Sequence, residues 1–205
     1  MRKIPMALAV MLGASFSLMA DYIPYSNPGK IPATQSFTAT NSGDVMAYFD
    51  GSGAGYEEQL GLFVNGQQLG TWGLDNRTST IGQSIDFGYV TAGTNLVFAL
   101  NVLSSKTVLY SDPTLNPDGV NHTYGTAFSG QTKNGVTITY VGFEDTLASK
   151  SDLDYSDEQF VLADTTATTL TPEPNPIWSL ALGGICVGAG TFRRRKKPAV
   201  ALLGS

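Results

Sequence analysis

At 205 residues the chain has room for one domain with targeting segments at its ends. Those ends hold seven of the twelve basic residues, Arg2, Lys3 and Arg193 to Lys197; with Glu173 also set aside, five basic residues remain against sixteen acidic. A domain so acidic repels nucleic-acid phosphates and favours cations, which excludes nucleic-acid binding, and a single cysteine, Cys186, excludes an intradomain disulfide or a thiolate metal cluster.

Residues 1–20 predict a secretory signal peptide: Arg2-Lys3 supply the positive region, Met6 to Met19 the apolar region, and Ala20 the cleavage point. An uncleaved N-terminal anchor is the alternative. Residues 21–163 predict one all-β domain, an antiparallel β-sandwich of jelly-roll-like type, because short β-branched and aromatic segments alternate with turn chemistry and no segment carries helical periodicity. The expected strands are Gln35–Thr40, Val45–Phe49, Gln59–Val64, Gln67–Gly73, Ser84–Val90, Asn95–Val102 and Val136–Phe143, roughly eight in all with the segment starting near Gln159. Asn65-Gly66 predicts a type I′ hairpin, since both positions tolerate positive φ. Residues 103–134, rich in Asp-Pro, Asn-Pro and Asp-Gly turns, predict a long excursion with minor strands at Val108–Tyr110 and Tyr124–Phe128. His122 falls in this stretch and is expected to be exposed.

Residues 142–158 hold six of the sixteen acids. Asp152, Asp154 and Asp157 form a D-x-D-x-x-D array, and Glu144 and Asp145 precede it. In a tight loop these five carboxylates can converge as hard oxygen ligands, a set that suits Ca²⁺ with its six to eight oxygens. The loop lacks the glycine and glutamate of an EF-hand. A solvated turn with side-chain capping explains the acids equally well. Asp50, Glu57 and Glu58 are a possible second pole, which a Gly-rich hairpin turn explains about as well.

Residues 164–176, with a threonine run and three prolines, predict an extended linker, and residues 177–197 a short apolar segment with a basic stop; residues 198–205 are a tail. Sixteen helical residues rise only about 24 Å, so this segment spans a bilayer only if its terminal cations snorkel. The positive-inside rule then leaves the domain outside.

The order of Pro172-Glu173-Pro174, an apolar segment from Trp178 to Phe192, and Arg193, Arg194 and Arg195 with two lysines resembles the PEP-CTERM protein-sorting signal, across roughly residues 171–197. The resemblance implies an exosortase-type membrane peptidase as partner. It also implies anchoring in the inner membrane before processing, followed by release to the cell surface or extracellular matrix of an exopolysaccharide-making bacterium. The chain departs from that pattern in continuing to Ser205. A second resemblance lies in the domain: Phe143-Glu144-Asp145 followed by Ser151-Asp152-Leu153-Asp154-Tyr155-Ser156-Asp157, with Gly53 to Phe63 near the start, is similar to the uncharacterised secreted DUF4114 domain over roughly residues 40–163. It implies the architecture and a Ca²⁺ loop.

Catalysis has little footing. A Ser-His-Asp triad needs His122, yet no G-x-S-x-G elbow exists, and acid pairs drawn from Glu57, Glu58, Glu144 or Asp145 are no more than an acidic β domain offers. The expected function is that of a non-enzymatic exported surface or matrix protein, Ca²⁺-stabilised and exopolysaccharide-associated. A carbohydrate-binding module is the alternative, with Trp72, Tyr48, Tyr56, Tyr89 and Tyr124 as stacking candidates whose competing role is core packing.

Overall fold

The computed structural model describes residues 23–128 and 137–170. The signal peptide, the Pro172-Glu173-Pro174 motif, the apolar segment and the basic cluster all lie outside the described residues. Among the described residues no helix is long and apolar enough to cross a membrane.

Eleven strands are described: β1 (Gln35–Ala39), β2 (Gly43–Gly51), β3 (Glu58–Val64), β4 (Gln67–Gly73), β5 (Ser84–Val90), β6 (Asn95–Val102), β7 (Thr107–Tyr110), β8 (Thr123–Ala127), β9 (Ile138–Phe143), β10 (Glu158–Ala163) and β11 (Thr165–Thr169). A single 3₁₀ turn, Pro113–Leu115, interrupts them; Asp112 caps it by accepting the Thr114 N–H. One sheet runs β11-β1-β6-β3-β4, with β7 also on β6; the other runs β5-β2-β10-β9-β8, and the pairings are antiparallel. The long strand β6 pairs β3 along one edge, while β1 and β7 divide the other, with Phe37 opposite Leu96 and Thr107 opposite Val102. The expected all-β sandwich is the observed class.

Period-two alternation builds the core between the sheets. Phe37 of β1, Leu60 and Leu62 of β3, and Phe98 and Leu100 of β6 face Phe49 of β2, Val141 and Phe143 of β9, and Phe160 and Leu162 of β10 in one buried cluster. Phe160 meets both Phe49 and Phe143 edge-on at centroid distances of 6.3 Å. The opposite faces of β9 and β10 carry Tyr140 and Val161, which pack with Phe128 and with Ile23 of the N-terminal segment. That segment is fastened by Tyr25, which stacks against Tyr124 and Tyr155, and by Gly29, which donates its N–H to the Leu153 carbonyl at 3.1 Å.

The Asn65-Gly66 hairpin forms as expected: φ is 52° and 75°, and Val64 pairs with Gln67. Two expectations are corrected. Thr165–Thr169, assigned to the linker, form β11, which adds to β1 with Gln35 opposite Thr169 and Ala39 opposite Thr165. Threonine favours strands, but this run has no apolar row, and it becomes a strand because β1 offers its edge. His122, expected in solvent, is fully buried, its Nε2 3.1 Å from the Asp118 carboxylate.

Candidate functional site

Strands β9 and β10 are neighbours, with Phe143 opposite Glu158, and the acidic loop 144–157 joins them. The alternation of β9 decides where its first acids go. Val141 and Phe143 face the core and Tyr140 faces out, so Glu144 continues the outer row and Asp145 the inner one. Two adjacent acids thereby enter two different environments.

On the outer side the loop folds back over Gly142. A Cβ there would lie 2.2 Å from the Tyr155 carbonyl oxygen, so only glycine allows this approach. Leu153 and Tyr155 adopt left-handed φ of 56° and 58° on either side of Asp154. The Glu144 carboxylate accepts hydrogen bonds from the Ser151 hydroxyl and the Tyr155 N–H, which pins the loop to the strand end. Asp154 accepts the Ser156 N–H at 2.9 Å, and the buried Tyr155 donates its hydroxyl to the Asn121 carbonyl at 3.2 Å. The neighbouring excursion supports the loop from below. Asp118 accepts the Ala148 N–H at 3.0 Å; burial alone would raise this carboxyl, but that bond, with those from His122 and Val120, holds it below its usual range.

Glu144, Asp152 and Asp154 emerge as a convergent set, with one carboxylate oxygen from each lying within 4.8 Å of the others. Oxygens bound on opposite sides of one Ca²⁺ stand about 4.6–5.2 Å apart, twice the ordinary ligand distance, so the three can reach a single ion. Glu144 is buried, Asp154 half-buried and Asp152 exposed, which leaves an open side for further ligands. Burial raises the Glu144 carboxyl above its usual range despite the opposing Ser151 and Tyr155 hydrogen bonds, and the charges of Asp152 and Asp154 push the same way. A cavity of about 230 Å³ opens here, lined by Tyr56, Glu144, Asp145, Lys150, Asp152 and Asp157 among others.

Asp145 and Asp157, the other two expected ligands, belong to a second group. The Asp145 N–H donates to the Asp157 carboxylate at 3.0 Å, and the Asp145 carboxyl sits within hydrogen-bonding reach of both Asp157 and Glu58. Glu158 completes the set from the start of β10 and feels the charges of Asp75, Asp157 and Asp145. Glu58 and Glu158 are each 0 % exposed, and no oxygen of either accepts a hydrogen bond. The Ser52 hydroxyl beside Glu158 favours its charged form, and does so more than any single neighbouring acid opposes it. Burial first, and neighbouring acids second, push Glu58 up to about 10 and Glu158 up to about 9, and burial raises Asp157 as well.

Sequence reasoning passed over Glu158 and left Glu58 undecided, although a signal was present. In Glu58-x-Leu60-x-Leu62 and Glu158-x-Phe160-x-Leu162 a carboxylate occupies the first inward position of a core strand. Of the aromatic candidates, Trp72 covers Gly61 and packs on Phe63, and Tyr124 packs on Tyr25 and Tyr140; Tyr48 lies against the outer cluster. Tyr56 and Tyr89 are exposed.

No curated protein matches this chain. Among solved structures, the Chromobacterium violaceum lectin CV2L in complex with alpha-methyl-fucoside is similar at 15% identity and a TM-score of 0.35, covering 64% of this chain and 96% of that one. The Ralstonia solanacearum high-affinity mannose-binding lectin is similar at 17% identity and a TM-score of 0.33, covering 62% and 93%. Residues 80–163, from the turn before β5 to the end of β10, match the family described as a domain of unknown function, DUF4114.

Proposed function

We propose that this chain is a non-enzymatic, exported β-sandwich protein of the cell surface or extracellular matrix, sorted by a PEP-CTERM signal and ordered by Ca²⁺ at its acidic loop. The observation that carries the ion reading is the convergence of the Glu144, Asp152 and Asp154 oxygens. Carboxylates that close repel one another unless a cation intervenes, and an all-oxygen set favours a hard ion. The sorting reading rests on the terminal sequence motifs. A non-enzymatic role is supported by the burial of His122, the chain's single histidine, away from any substrate.

Calorimetry of the full chain with Ca²⁺, together with melting curves in Ca²⁺ and in chelator, tests the ion site. Calcium at a hundredfold over its dissociation constant stabilises by about 2.7 kcal/mol, which raises the melting temperature of a domain this size by roughly 5–10 °C. Asp154→Ala removes the loop ion and its share of that rise. No heat and no change in melting temperature would sink the reading. Sorting is checked by fractionating cells of the native host: surface or matrix recovery of a protein trimmed near Pro172 is expected, and an untrimmed cytoplasmic protein contradicts it.

Carbohydrate binding is the second reading, and Tyr56 favours it. The residue is 41 % exposed and lines the same cavity as Glu144, Asp145 and Asp152, so an aromatic side chain for a sugar ring stands beside oxygens that a cation would share with sugar hydroxyls. Polysaccharide pull-down is expected to retain the protein in Ca²⁺ and release it in chelator, with Tyr56→Ala reducing retention about tenfold, or ~1.4 kcal/mol. Equal retention by Tyr56→Ala and wild type would remove Tyr56 from the site.

A further inference from the structure

Two fully buried glutamates begin two core strands of opposite sheets. Glu58 opens β3 in one sheet and Glu158 opens β10 in the other, each on the inward row that continues into Leu60 and Leu62 or Phe160 and Leu162. Both are 0 % exposed, both lack a hydrogen bond on either oxygen, and both feel Asp145 and Asp157, with Glu158 also acting on Glu58 and Asp75 on Glu158. No cation answers them: the one ion pair among the described residues joins His122 to Asp118. Leaving a buried carboxylate without a donor or counter-charge costs several kcal/mol per group. These two groups lie beside Asp145 and the half-buried Asp157, which accepts the Asp145 N–H, at the strand starts next to the acidic loop.

We infer that Glu58, Asp145, Asp157 and Glu158 form a second, buried calcium site that clamps the two sheets together, distinct from the Glu144, Asp152 and Asp154 set.

The donor set selects the ion. It is all oxygen, which suits a hard cation. Glu58 and Glu158 are sealed from water, and Mg²⁺ gives up its waters reluctantly, whereas Ca²⁺ accepts a fully protein-built shell. Protons answer the charge less completely. A proton on Glu58 or Asp157 answers that group's contact with Asp145, but the Glu158 oxygens have no carboxyl within hydrogen-bonding geometry. Among the described residues only the Glu144, Asp152 and Asp154 oxygens already converge within 4.8 Å, so an ion at the buried set would have to draw its four carboxylates together. The site also adds an ionic link between the sheets to the hydrogen bonds of Thr139 with Thr165 and of Gln35 with Gly125, where the single cysteine cannot form a bridge within the domain. Asp157 and Asp145 line the outer cavity as well, so the two sites sit side by side and share one loop.

Counting calcium decides the matter. The full chain is stripped with chelator, reloaded with Ca²⁺, desalted and analysed by plasma mass spectrometry beside calorimetric titration. About two ions per chain are expected for the wild type, about one for Asp154→Ala, and about one for either Glu158→Gln or the Glu58→Gln, Glu158→Gln pair. Glutamine mimics a neutral carboxylic acid, so an unchanged count in a folded glutamine variant means that the glutamates are simply protonated, and overturns the site. A wild-type count of one that Asp154→Ala takes to zero overturns it too, without requiring the glutamine variants to fold. A count of one that survives Asp154→Ala and is lost in Glu158→Gln upholds the buried site while overturning the loop site. A count of zero overturns both.

Discussion

Gly142→Ala is expected to dislodge the acidic loop and destabilise the domain by about 3 kcal/mol, at the upper end of overpacking effects because the obstructing atom belongs to the backbone. The added Cβ would stand 2.2 Å from the Tyr155 carbonyl oxygen, 3.3 Å from its carbon and 3.5 Å from the Tyr155 Cβ. Tyr155 cannot give way cheaply. Its N–H is held by the Glu144 carboxylate, its hydroxyl by the Asn121 carbonyl, and its ring by an edge contact with Tyr25 at 5.0 Å. Moving it displaces Asp154 and opens the Glu144 set, so calcium binding at the loop falls together with stability. Thermal melts should show a drop of roughly 6–12 °C for a domain of this size. Gly43→Ala is the control. It is also a strand glycine, a Cβ there meets nothing within 4 Å, and its melting temperature should stay within a few degrees of wild type or rise. If Gly142→Ala melts with the control, the loop does not rest on β9 as described.

How much of this was legible in the sequence follows from which interactions are local. Strands β4, β5 and β6 begin and end where their side-chain alternation and flanking turns place them, and the Asn65-Gly66 hairpin forms because both residues enter the left-handed region at little strain. β11 was illegible: Thr165, Thr166, Ala167, Thr168 and Thr169 carry no apolar row, and what makes them a strand is the edge of β1, more than a hundred residues away. The D-x-D-x-x-D spacing located the acidic loop, but spacing along a loop cannot say which carboxylates share a space. That partition is set by the pleat of β9, which sends Glu144 outward and Asp145 inward, and by β3, which delivers Glu58 from the opposite sheet. His122 was misplaced for a related reason. Its turn-rich surroundings suggested solvent, yet Glu144 donates its N–H to the His122 carbonyl at 3.0 Å and Asp118 holds the ring, so the excursion is packed under the loop.

The family match stops short of the site it helps to build. Residues 80–163 supply Glu144, Asp145, Asp152, Asp154, Asp157 and Glu158, but not Glu58, Ser52 or Tyr56. Strands β1 to β4 lie outside the match, although β3 is interior to its sheet between β6 and β4. The loop set is therefore complete within the matched segment, whereas the buried set and the exposed Tyr56 beside it require the residues before it.

In chelator, the melting temperature is expected to fall by on the order of 10 °C as pH rises from 5 to 8, and calcium should flatten that fall. Glu58 and Glu158 stand at about 10 and about 9 in the folded protein, against an ordinary value of 4.5. The sign follows from where the protons are. Above the ordinary value the unfolded chain releases them while the folded chain keeps them, so the contribution of these groups is fully present below about pH 4.5. It is lost as pH climbs towards 9 and 10, at no more than about 1.4 kcal/mol per group and pH unit. Calcium reverses the demand, because it binds the ionised carboxylates. The Glu58→Gln, Glu158→Gln variant separates the two regimes. At pH 8 in chelator it should melt above wild type, having no buried acid to ionise; at pH 8 in saturating calcium it should melt below, having lost the ion that joins β3 to β10. A wild-type profile that is flat with pH in chelator would mean that water reaches these carboxylates. A variant that melts below wild type in both conditions would mean that the glutamates stabilise the fold by packing alone.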